Sequence, residues 1–427
     1  MILGFLTAAG CGSEENSGTA GGGDTVSTAA DDTQTSTGPT TQTTDSGVTI
    51  QTIEREVSRI RNLPIKNEIA VSYVNRDQLR EEMKEEMEKE FDPAELATEE
   101  KVLKSLDLLP ENADLAAVIE EMLSSEIAGF YDDETKELKL VSETPELNLM
   151  NQVTLAHEVT HALQDQSFQL ARFLPEDSSN ADSDLARLSL VEGDATLTEE
   201  EYTTSNLSGL DLVNLLLGSL GASGGLVNNS YLEDSLLFPY INGLAFVGAV
   251  KERGGWQAVD AAYSKPPEST EQVMHPEKYF AGEAPVLVTI PDLAAIAGSG
   301  WSVTFDEVMG EFDALEMLQQ DLPQSGARRA AAGWGGGAIS FAEEPGGETL
   351  LAIEFTWDSE ADAAEFAEAM GSVLEERYRE EFDMTPQTAP ALVTDDGVWL
   401  LVQRGLTVSM VQAPDQALGE RVVQALS

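Results

Sequence analysis

The spacing of two histidines is the feature that most constrains this chain. Only three histidines occur in 427 residues, and two of them, His157 and His161, lie four positions apart in the stretch TLAHEVTHALQDQ. On an α-helix, positions i and i+4 project from one face, one turn apart. Both imidazoles can then reach one metal ion at about 2.0–2.1 Å. Leu155, Val159 and Ala162 form an apolar stripe, which predicts that this helix is buried and the site rigid.

Glu158 adds a catalytic candidate to the same helix. It directly follows His157, close enough to hold a metal-bound water but not to be a third ligand on that helix. H-E-x-x-H is the pattern of zinc peptidases, in which the glutamate is the general base. The alternative is a pair of helix-capping or core histidines, which a chain so poor in histidine gives little reason to expect.

A catalytic zinc also needs a third protein ligand and one open position. With cysteine excluded, the candidates are His275 and a carboxylate. Glu192 in SLVEGDATL is the best carboxylate, because it follows an apolar run on the next predicted helix. Its small neighbours Gly193 and Ala195 would let that helix approach the histidine helix closely. The sequence therefore favours His157, His161 and Glu192 as the zinc ligands.

Four stretches together carry a family resemblance: GFYDDETKELKLV, HEVTHALQDQSF, VEGDAT and STEQVMHPEKY. They resemble the gluzincin class of zinc metallopeptidases and, more narrowly, a family of largely uncharacterised prokaryotic secreted metallopeptidases. The resemblance covers roughly residues 53–280. It implies a zincin-like fold, a Zn²⁺ cofactor and a peptide or protein substrate. Within it, His157, His161 and Glu192 match the metal ligands, and Glu158 matches the general base.

The resemblance also implies parts around the metal. Gluzincins often place a His or Tyr donor near the zinc to stabilise the oxyanion, and His275 or Tyr279 could take this role. The alternative for His275 is a solvent-facing loop residue beside a proline. Zincins lay the substrate along an edge strand above the zinc helix. The segment Ala128–Val141, which reads as a hairpin, is the candidate for that strand, with an ordinary structural hairpin as the alternative.

Asp194 and Thr196 lie close to Glu192 in the sequence, and a long segment separates Glu192 from His161. Asp194 should point away from the metal on a helix, which leaves it at most a supporting role. Thr196, at i+4 from Glu192, is better placed but chemically weaker. The gap of 30 residues between His161 and Glu192 is longer than in thermolysin-like enzymes. The stretch QLARFLPEDSSNADSD is the predicted inserted loop.

The charge balance excludes several classes of partner. Asp and Glu number 77 against 24 Lys and Arg, for a net charge of -53. No basic patch could offset such a field, so nucleic acid and anionic membrane surfaces are not expected partners. High salt would screen the self-repulsion of so acidic a surface. Salt adaptation and a generic acidic secreted protein are both consistent with this composition.

The first 47 residues predict an anchor and a tether. Residues 1–11 are a short apolar run that ends in Ala-Ala-Gly-Cys, which resembles the lipobox of secreted lipoproteins with Cys11 as the lipidated residue. An ordinary cleaved signal or a chance cysteine is the alternative. Residues 12–47 hold almost no large apolar side chain and predict a flexible tether. The expected location is the cell surface, with membrane contact only through the lipid.

The remaining chain predicts two domains of an α+β protein. Residues 48–322 would form the zincin-like domain, mainly helical with a small sheet. Residues 323–427 show two strands and a helix, twice over, which predicts a small α+β sandwich with a ferredoxin-like flavour. The favoured function is a zinc peptidase. Two alternatives stay open: a non-catalytic zinc-stabilised binding module, and a cell-envelope binding protein in which the C-terminal domain does the work.

Overall fold

The computed structural model describes residues 48–90, 92–126, 129–132, 135–141, 147–174, 180–208, 230–383, 389–395 and 397–426. The predicted anchor and tether, including Cys11, lie outside these ranges. So do residues 133–134 of the predicted hairpin turn and residues 175–179 of the predicted inserted loop. None of the helices in the described ranges is both long and apolar enough to cross a bilayer.

The first part of the described chain is mostly helical. Its elements are α1 (Ile50–Arg61), β1 (Ala70–Val74), α2 (Arg76–Glu90), α3 (Pro93–Ser105), α4 (Leu115–Glu126), β2 (Gly129–Asp132), β3 (Glu137–Val141), α5 (Leu149–Phe168), α6 (Leu170–Phe173), α7 (Ala181–Asn206), α8 (Ser230–Gly254), α9 (Trp256–Ala262), α10 (Thr270–Met274) and α11 (Pro276–Ala281). Helix starts follow local capping chemistry. The side chains of Asn148 and Asn180, for example, accept a backbone N–H of the first turns of α5 and α7.

A three-stranded sheet lies beside the histidine helix α5. Its strand order is β1-β3-β2, with β3 parallel to β1 and antiparallel to β2. The β2–β3 pair confirms the predicted hairpin, and β2 forms an edge of this described sheet. Gly129 of β2 lies so close to α5 that an added Cβ would come within 2.8 Å of Thr154. Thr154 precedes His157 by one helical turn, so the edge strand runs next to the histidine face.

The predicted apolar stripe of α5 is buried. Leu155, Val159 and Ala162 are fully inaccessible to solvent and share a core with Ile53 and Val57 of α1. Burial of this stripe removes apolar surface from water, which is the main stabilising contribution to the position of α5. The helix that carries both histidines is therefore held between α1 and the rest of the domain.

Helices α7 and α8 approach each other through glycines. A Cβ added to Gly193 of α7 would lie 2.2 Å from the backbone of Gly243 on α8, and one added to Gly243 would lie 2.2 Å from the Ser189 carbonyl oxygen. The expectation that Gly193 lets α7 approach the histidine helix is therefore wrong. Gly193 instead brings α7 against α8, because the small residue faces that helix.

The C-terminal part is built on a six-stranded antiparallel sheet. Its elements are α12 (Leu293–Ala297), β4 (Ser302–Val308), α13 (Glu311–Gln319), α14 (Gln324–Ala331), β5 (Trp334–Glu343), β6 (Thr349–Trp357), α15 (Glu360–Tyr378), β7 (Ala391–Thr394), β8 (Gly397–Arg404), β9 (Thr407–Ala413) and α16 (Gln416–Ala425). The strand order is β4-β5-β6-β9-β8-β7. The two predicted strand–strand–helix units are present, as β5-β6-α15 and β8-β9-α16.

The helices of these units cover opposite faces of the sheet. On one face, Phe366 of α15 packs against Phe355 and Trp357 of β6. On the other, Gly419 of α16 lies against Leu400 of β8. A two-layer sandwich with its helices on one face, as in ferredoxin-like folds, is therefore not what forms. The reason is that both faces of the central strands are apolar, so both need cover.

The sheet begins before the predicted domain boundary at residue 323. Strand β4 (Ser302–Val308) pairs with β5 at the sheet edge, and α13 packs beneath the same sheet. Sequence composition changes only near Pro323, but hydrogen bonding joins β4 to β5, which follows it by about 30 residues in the chain. The large apolar core extends from the helices of the first part into this sheet.

Candidate metal centre

Two imidazole nitrogens meet on the inner face of α5. His157 and His161 lie one turn apart, and their Nε2 atoms are 3.0 Å from each other. Their rings meet edge to face, with centroids 4.7 Å apart. Both side chains are about nine-tenths buried. The two imidazoles therefore converge, as their i, i+4 spacing predicts.

Glu192 of α7 completes a group of three ligand atoms. Its Oε2 lies 3.2 Å from His157 Nε2 and 3.4 Å from His161 Nε2. These three atoms form a nearly equilateral triangle, and we refer to the three residues as the ligand triad. Its members come from two helices that lie side by side in the interior.

Hydrogen bonds on the outer ring nitrogens set the tautomers of the triad. His157 Nδ1 lies 3.1 Å from Oε2 of Glu199, and His161 Nδ1 lies 2.9 Å from Oε1 of Gln164. Both partners are oxygen acceptors, so both Nδ1 atoms must carry the proton in a neutral ring. In this neutral form each Nε2 atom keeps its lone pair, and both lone pairs face the Glu192 carboxylate.

This donor set fits a zinc ion. A tetrahedral zinc with bonds of about 2.0–2.1 Å separates its ligand atoms by roughly 3.3–3.4 Å. The triad atoms are 3.0, 3.2 and 3.4 Å apart, so a point at bonding distance from all three exists just off their plane. Three converging acceptors inside a protein repel one another unless a cation lies between them.

A second acidic group in the described part of the chain surrounds a lysine side chain. Glu271, Glu283 and Asp358 could also hold a cation. The Lys278 ammonium, however, lies 2.5–2.8 Å from a carboxylate oxygen of each. Lys278 therefore fills that place, which leaves the triad as the better metal candidate.

Two further side chains adjoin the triad. Glu158 is buried, and that burial raises the pKa of its carboxyl, although the two neighbouring histidines oppose the rise. Tyr240 of α8 stacks on His157 with ring centroids 6.0 Å apart, and its hydroxyl is hydrogen-bonded to Glu192. Burial raises the pKa of Tyr240 well above its ordinary value, so the phenol stays protonated and able to donate.

The triad groups shift one another's pKa values. Burial alone would lower the pKa of His157, but the protonated ring can donate to both Glu192 and Glu199, and these hydrogen bonds outweigh burial and raise the pKa. For Glu192, burial acts to raise the pKa, and the two histidines outweigh it and lower the pKa. The carboxylate is therefore ionised at neutral pH, as a metal ligand must be.

Asp194 lies behind the triad rather than in it. Its carboxylate is fully buried and accepts hydrogen bonds from Arg61, Gln164 and Tyr263. This agrees with the expectation that Asp194 points away from the metal. Thr196 is half-buried on the same helix, and among the described residues its hydroxyl has no hydrogen-bond partner.

The structure does not bring His275 or Tyr279 to the triad. His275 Nε2 lies 2.9 Å from Glu311 Oε1 at the start of α13, and Glu311 is the main cause of its raised pKa. The Tyr279 hydroxyl donates to the backbone oxygen of Lys265 at 2.8 Å. Tyr240, which the sequence does not single out, occupies the place beside the triad that His275 was predicted to fill.

Three residues that contact the triad were missed from the sequence. Gln164 follows His161 by three positions, so helical spacing could have indicated it. Glu199 follows Glu192 by seven positions, which returns to the same helix face after two turns. Tyr240 carried no such signal, because it belongs to α8, and the sequence does not show which face of α8 meets α5.

Comparison with known proteins reaches only the C-terminal part. Residues 302–423 match the family model described as a domain of unknown function, DUF8575. The match spans the six-stranded sheet and leaves the ligand triad outside. No curated protein and no solved structure matches the chain.

Proposed function

We propose that this protein is a zinc-dependent peptidase with a zincin-like fold in its first part. One observation carries the proposal: two Nε2 atoms and the Glu192 carboxylate converge within 3.4 Å. The buried Glu158 carboxyl lies close enough to interact electrostatically with all three residues. Hydrogen bonds that the two Nδ1–H groups donate to Glu199 and Gln164 favour the imidazole tautomer that a metal needs. Structural zinc sites use four protein ligands, whereas three ligands leave the open position that catalysis needs.

His157, His161 and Glu192 would hold the ion. When bound, zinc supplies a Lewis acid that polarises the scissile carbonyl and lowers the pKa of water. Glu158 then accepts a proton from the attacking water and delivers it to the leaving amine. Its buried position supports this role, because the raised pKa of its carboxyl brings it nearer to the working pH of a general base.

Tyr240 stabilises the negative charge that develops on the carbonyl oxygen of the substrate. Its hydroxyl lies at the Glu192 side of the triad and is a protonated donor. A preorganised donor in a buried site stabilises an oxyanion without any reorganisation during the reaction. We therefore assign Tyr240 the donor role that the resemblance suggested for His275 or Tyr279.

The edge strand β2 supports a peptide as the substrate. It packs on α5 through Gly129, next to the turn that precedes His157. Within the described sheet, its outer side pairs with no strand. An extended peptide could add to this edge by main-chain hydrogen bonds, with side-chain pockets for selectivity.

We also propose a location at the cell surface. The lipobox-like end at Cys11 and the tether of residues 12–47 would hold the folded part outside the membrane through a lipid alone. With a net charge of -53, the substrate is a peptide or protein rather than nucleic acid.

The test compares metal content and peptide cleavage in the same preparations. We expect purified protein to hold about one zinc ion per chain and to cleave a peptide library, with cleavage lost after chelation. Glu192→Ala should lose most of the zinc. Glu158→Gln should keep the zinc and lower cleavage by about 10²–10⁴-fold, because it removes the base but no ligand.

Glu200→Gln is the matched control, since Glu200 is an exposed carboxylate on the same helix as Glu192. It should change neither zinc content nor cleavage. Zinc binding without cleavage in the wild type would instead favour a non-catalytic zinc-stabilised module. Cleavage that survives chelation and Glu158→Gln would exclude the proposed chemistry.

A further inference from the structure

A buried ion pair lies behind His161. The Arg61 side chain at the end of α1 is fully inaccessible to solvent, and so is Asp194 of α7. Arg61 Nε donates to Asp194 Oδ1 at 2.5 Å. The guanidinium also lies 2.8 Å from Asp260 and stacks over the Trp256 ring at 4.6 Å. The Asp194 carboxylate is therefore held in place by a guanidinium that is itself buried and anchored on both sides.

The Asp194 carboxylate contacts one side of the Gln164 amide. Asp194 Oδ2 accepts from Gln164 Nε2 at 3.1 Å and from the Tyr263 hydroxyl at 2.9 Å. The same Gln164 nitrogen donates to the Val191 backbone oxygen at 2.9 Å. A carboxylate and a carbonyl can only accept, so the NH₂ group of Gln164 must face them.

The other side of that amide faces a metal ligand. With its nitrogen held, Gln164 presents Oε1 to His161 Nδ1 at 2.9 Å. The oxygen accepts only, so Nδ1 carries the proton and Nε2 keeps its lone pair. If the amide turned over, its NH₂ would face Nδ1, and the imidazole proton would move to Nε2 and point into the triad.

We propose that Arg61 and Asp194 are positioning residues of the metal centre: they fix the orientation of the Gln164 amide, which in turn fixes the tautomer of His161. The proposal deepens the proposed function, since it matters for catalysis only if a metal binds at His161. Helix α1 contributes no ligand, but through Arg61 it would help to orient one. His157 needs no such relay, because its own partner Glu199 is a carboxylate with no donor to turn toward it.

A purely structural role for the ion pair predicts a different outcome. Arg61 also fastens α1 to α7 and α9, so its loss could weaken the fold without any effect on the tautomer. The test must therefore read the proton position and the metal affinity, not activity alone. The chain has only three histidines, so its labelled imidazoles give a simple nitrogen spectrum.

The main variant is Asp194→Asn, and the matched control is Asp260→Asn. Both remove a charge that pairs with Arg61, but only Asp194 contacts Gln164. We expect Asp194→Asn to weaken zinc binding by about 10–100-fold in chelator competition, as for other partners of metal-bound histidines. In ¹⁵N-histidine spectra recorded with chelator, His161 should change from the Nδ1–H tautomer to a mixture. Asp260→Asn should keep both wild-type values.

Wild-type zinc affinity and an unchanged His161 tautomer in Asp194→Asn would overturn the proposal. So would equal losses in the two variants. If Asp194→Asn does not fold, Gln164→Met serves in its place, because it removes the amide and leaves the Arg61–Asp194 pair bonded to Tyr263. That variant must also lose the pure Nδ1–H tautomer, and retention of it would exclude a relay through Gln164. The spectra need neither metal nor substrate, so an inactive or zinc-free wild type would refute the proposed function without deciding the relay.

Discussion

At the scale of single residues, the candidate centre depends on where protons lie. With both imidazoles neutral, each triad atom is an acceptor and each outer ring nitrogen donates to an oxygen. The position of one proton on His161 decides whether its Nε2 can bind a metal or is blocked. A histidine pair on a helix is thus only a potential ligand set, and the neighbouring side chains determine whether the lone pairs face inward.

Substitutions of Tyr240 and His275 should affect kcat differently, because only Tyr240 lies beside the triad. Tyr240→Phe removes the hydroxyl but keeps the ring that stacks on His157. We expect kcat to fall by about 10²–10³-fold with zinc content unchanged, because the lost donor acts in the transition state. His275→Ala should leave kcat near wild type, since His275 pairs with Glu311 away from the triad. A normal kcat in Tyr240→Phe, or a large loss in His275→Ala, would return the donor role to His275.

At the scale of elements, the site is an arrangement of three helices. Helix α5 supplies the histidines, α7 supplies Glu192 and Glu199, and α8 supplies Tyr240. The contact of Gly193 with Gly243 allows α7 and α8 to approach closely enough for Tyr240 to reach Glu192. Any side chain at this contact would separate the ligand from its hydrogen-bond donor.

Two glycines of α8 test this contact. Gly243→Ala places a Cβ 2.2 Å from the Ser189 carbonyl oxygen, so the helices must move apart. We expect the free energy of unfolding to fall by about 1–3 kcal/mol, and zinc affinity to fall with it. Gly248→Ala, on the same helix, meets no atom within 4 Å and should stabilise by up to about 1 kcal/mol through helix propensity. Urea denaturation of the two variants is the measurement, and equal effects would contradict the role of the contact.

At the scale of the whole molecule, hydrogen bonds and close packing join the C-terminal part to the start of the helix that carries Glu192. The carboxylate of Asp182, at the start of α7, accepts from the backbone N–H and the hydroxyl of Thr270 at 2.9 and 2.6 Å. The Thr270 hydroxyl in turn accepts from the Phe312 N–H of α13 at 3.2 Å. Gly310 lies against Asp182 where no Cβ would fit. The region that matches DUF8575 therefore contacts the candidate peptidase part directly.

Buried carboxylates make the whole fold sensitive to pH. Burial raises the pKa of Asp182 to about 7 and that of Glu316 to about 8, from ordinary values of 3.8 and 4.5. The native state therefore holds these protons over a pH range in which the unfolded state has released them. Stability is then fully present near pH 4 and is lost as the pH rises toward 8. The net charge of -53 acts in the same direction, because repulsion among ionised carboxylates also lowers the stability of the fold as the pH rises.

Glu316→Gln tests this sensitivity. One carboxylate oxygen of Glu316 accepts from Gln319 at 2.5 Å, while the other is buried without a hydrogen-bond partner among the described residues. An amide removes the cost of a buried charge at high pH. We expect the variant to gain on the order of 2 kcal/mol of unfolding free energy at pH 8 and almost nothing at pH 4.

The measurement is urea denaturation at both pH values. Glu348→Gln, at an exposed turn, is the control and should follow the wild type. A wild-type difference between pH 4 and pH 8 that persists in Glu316→Gln would show that other groups cause the pH dependence.

The sequence determined by itself what local geometry fixes. Helical spacing places His157, Glu158 and His161 together whatever surrounds them, and the alternation of strands and helices gave both C-terminal units. Glu192 followed because catalytic zinc needs a third ligand and its helix came next. In the sheet, the order of strands and helices did not show which face each helix would cover.

Only the tertiary structure decided the contacts between elements. Arg61 is 133 residues from Asp194 in the chain, and Tyr240 belongs to a helix whose orientation depends on the glycine contact with α7. The environment of His275 is likewise set by Glu311, which follows it by 36 residues. Periodicity shows which face of a helix is buried but not which neighbour buries it, because packing joins residues that are far apart in the chain. The three candidate ligands could therefore be named from the sequence, while the side chains that contact them could be found only from the fold.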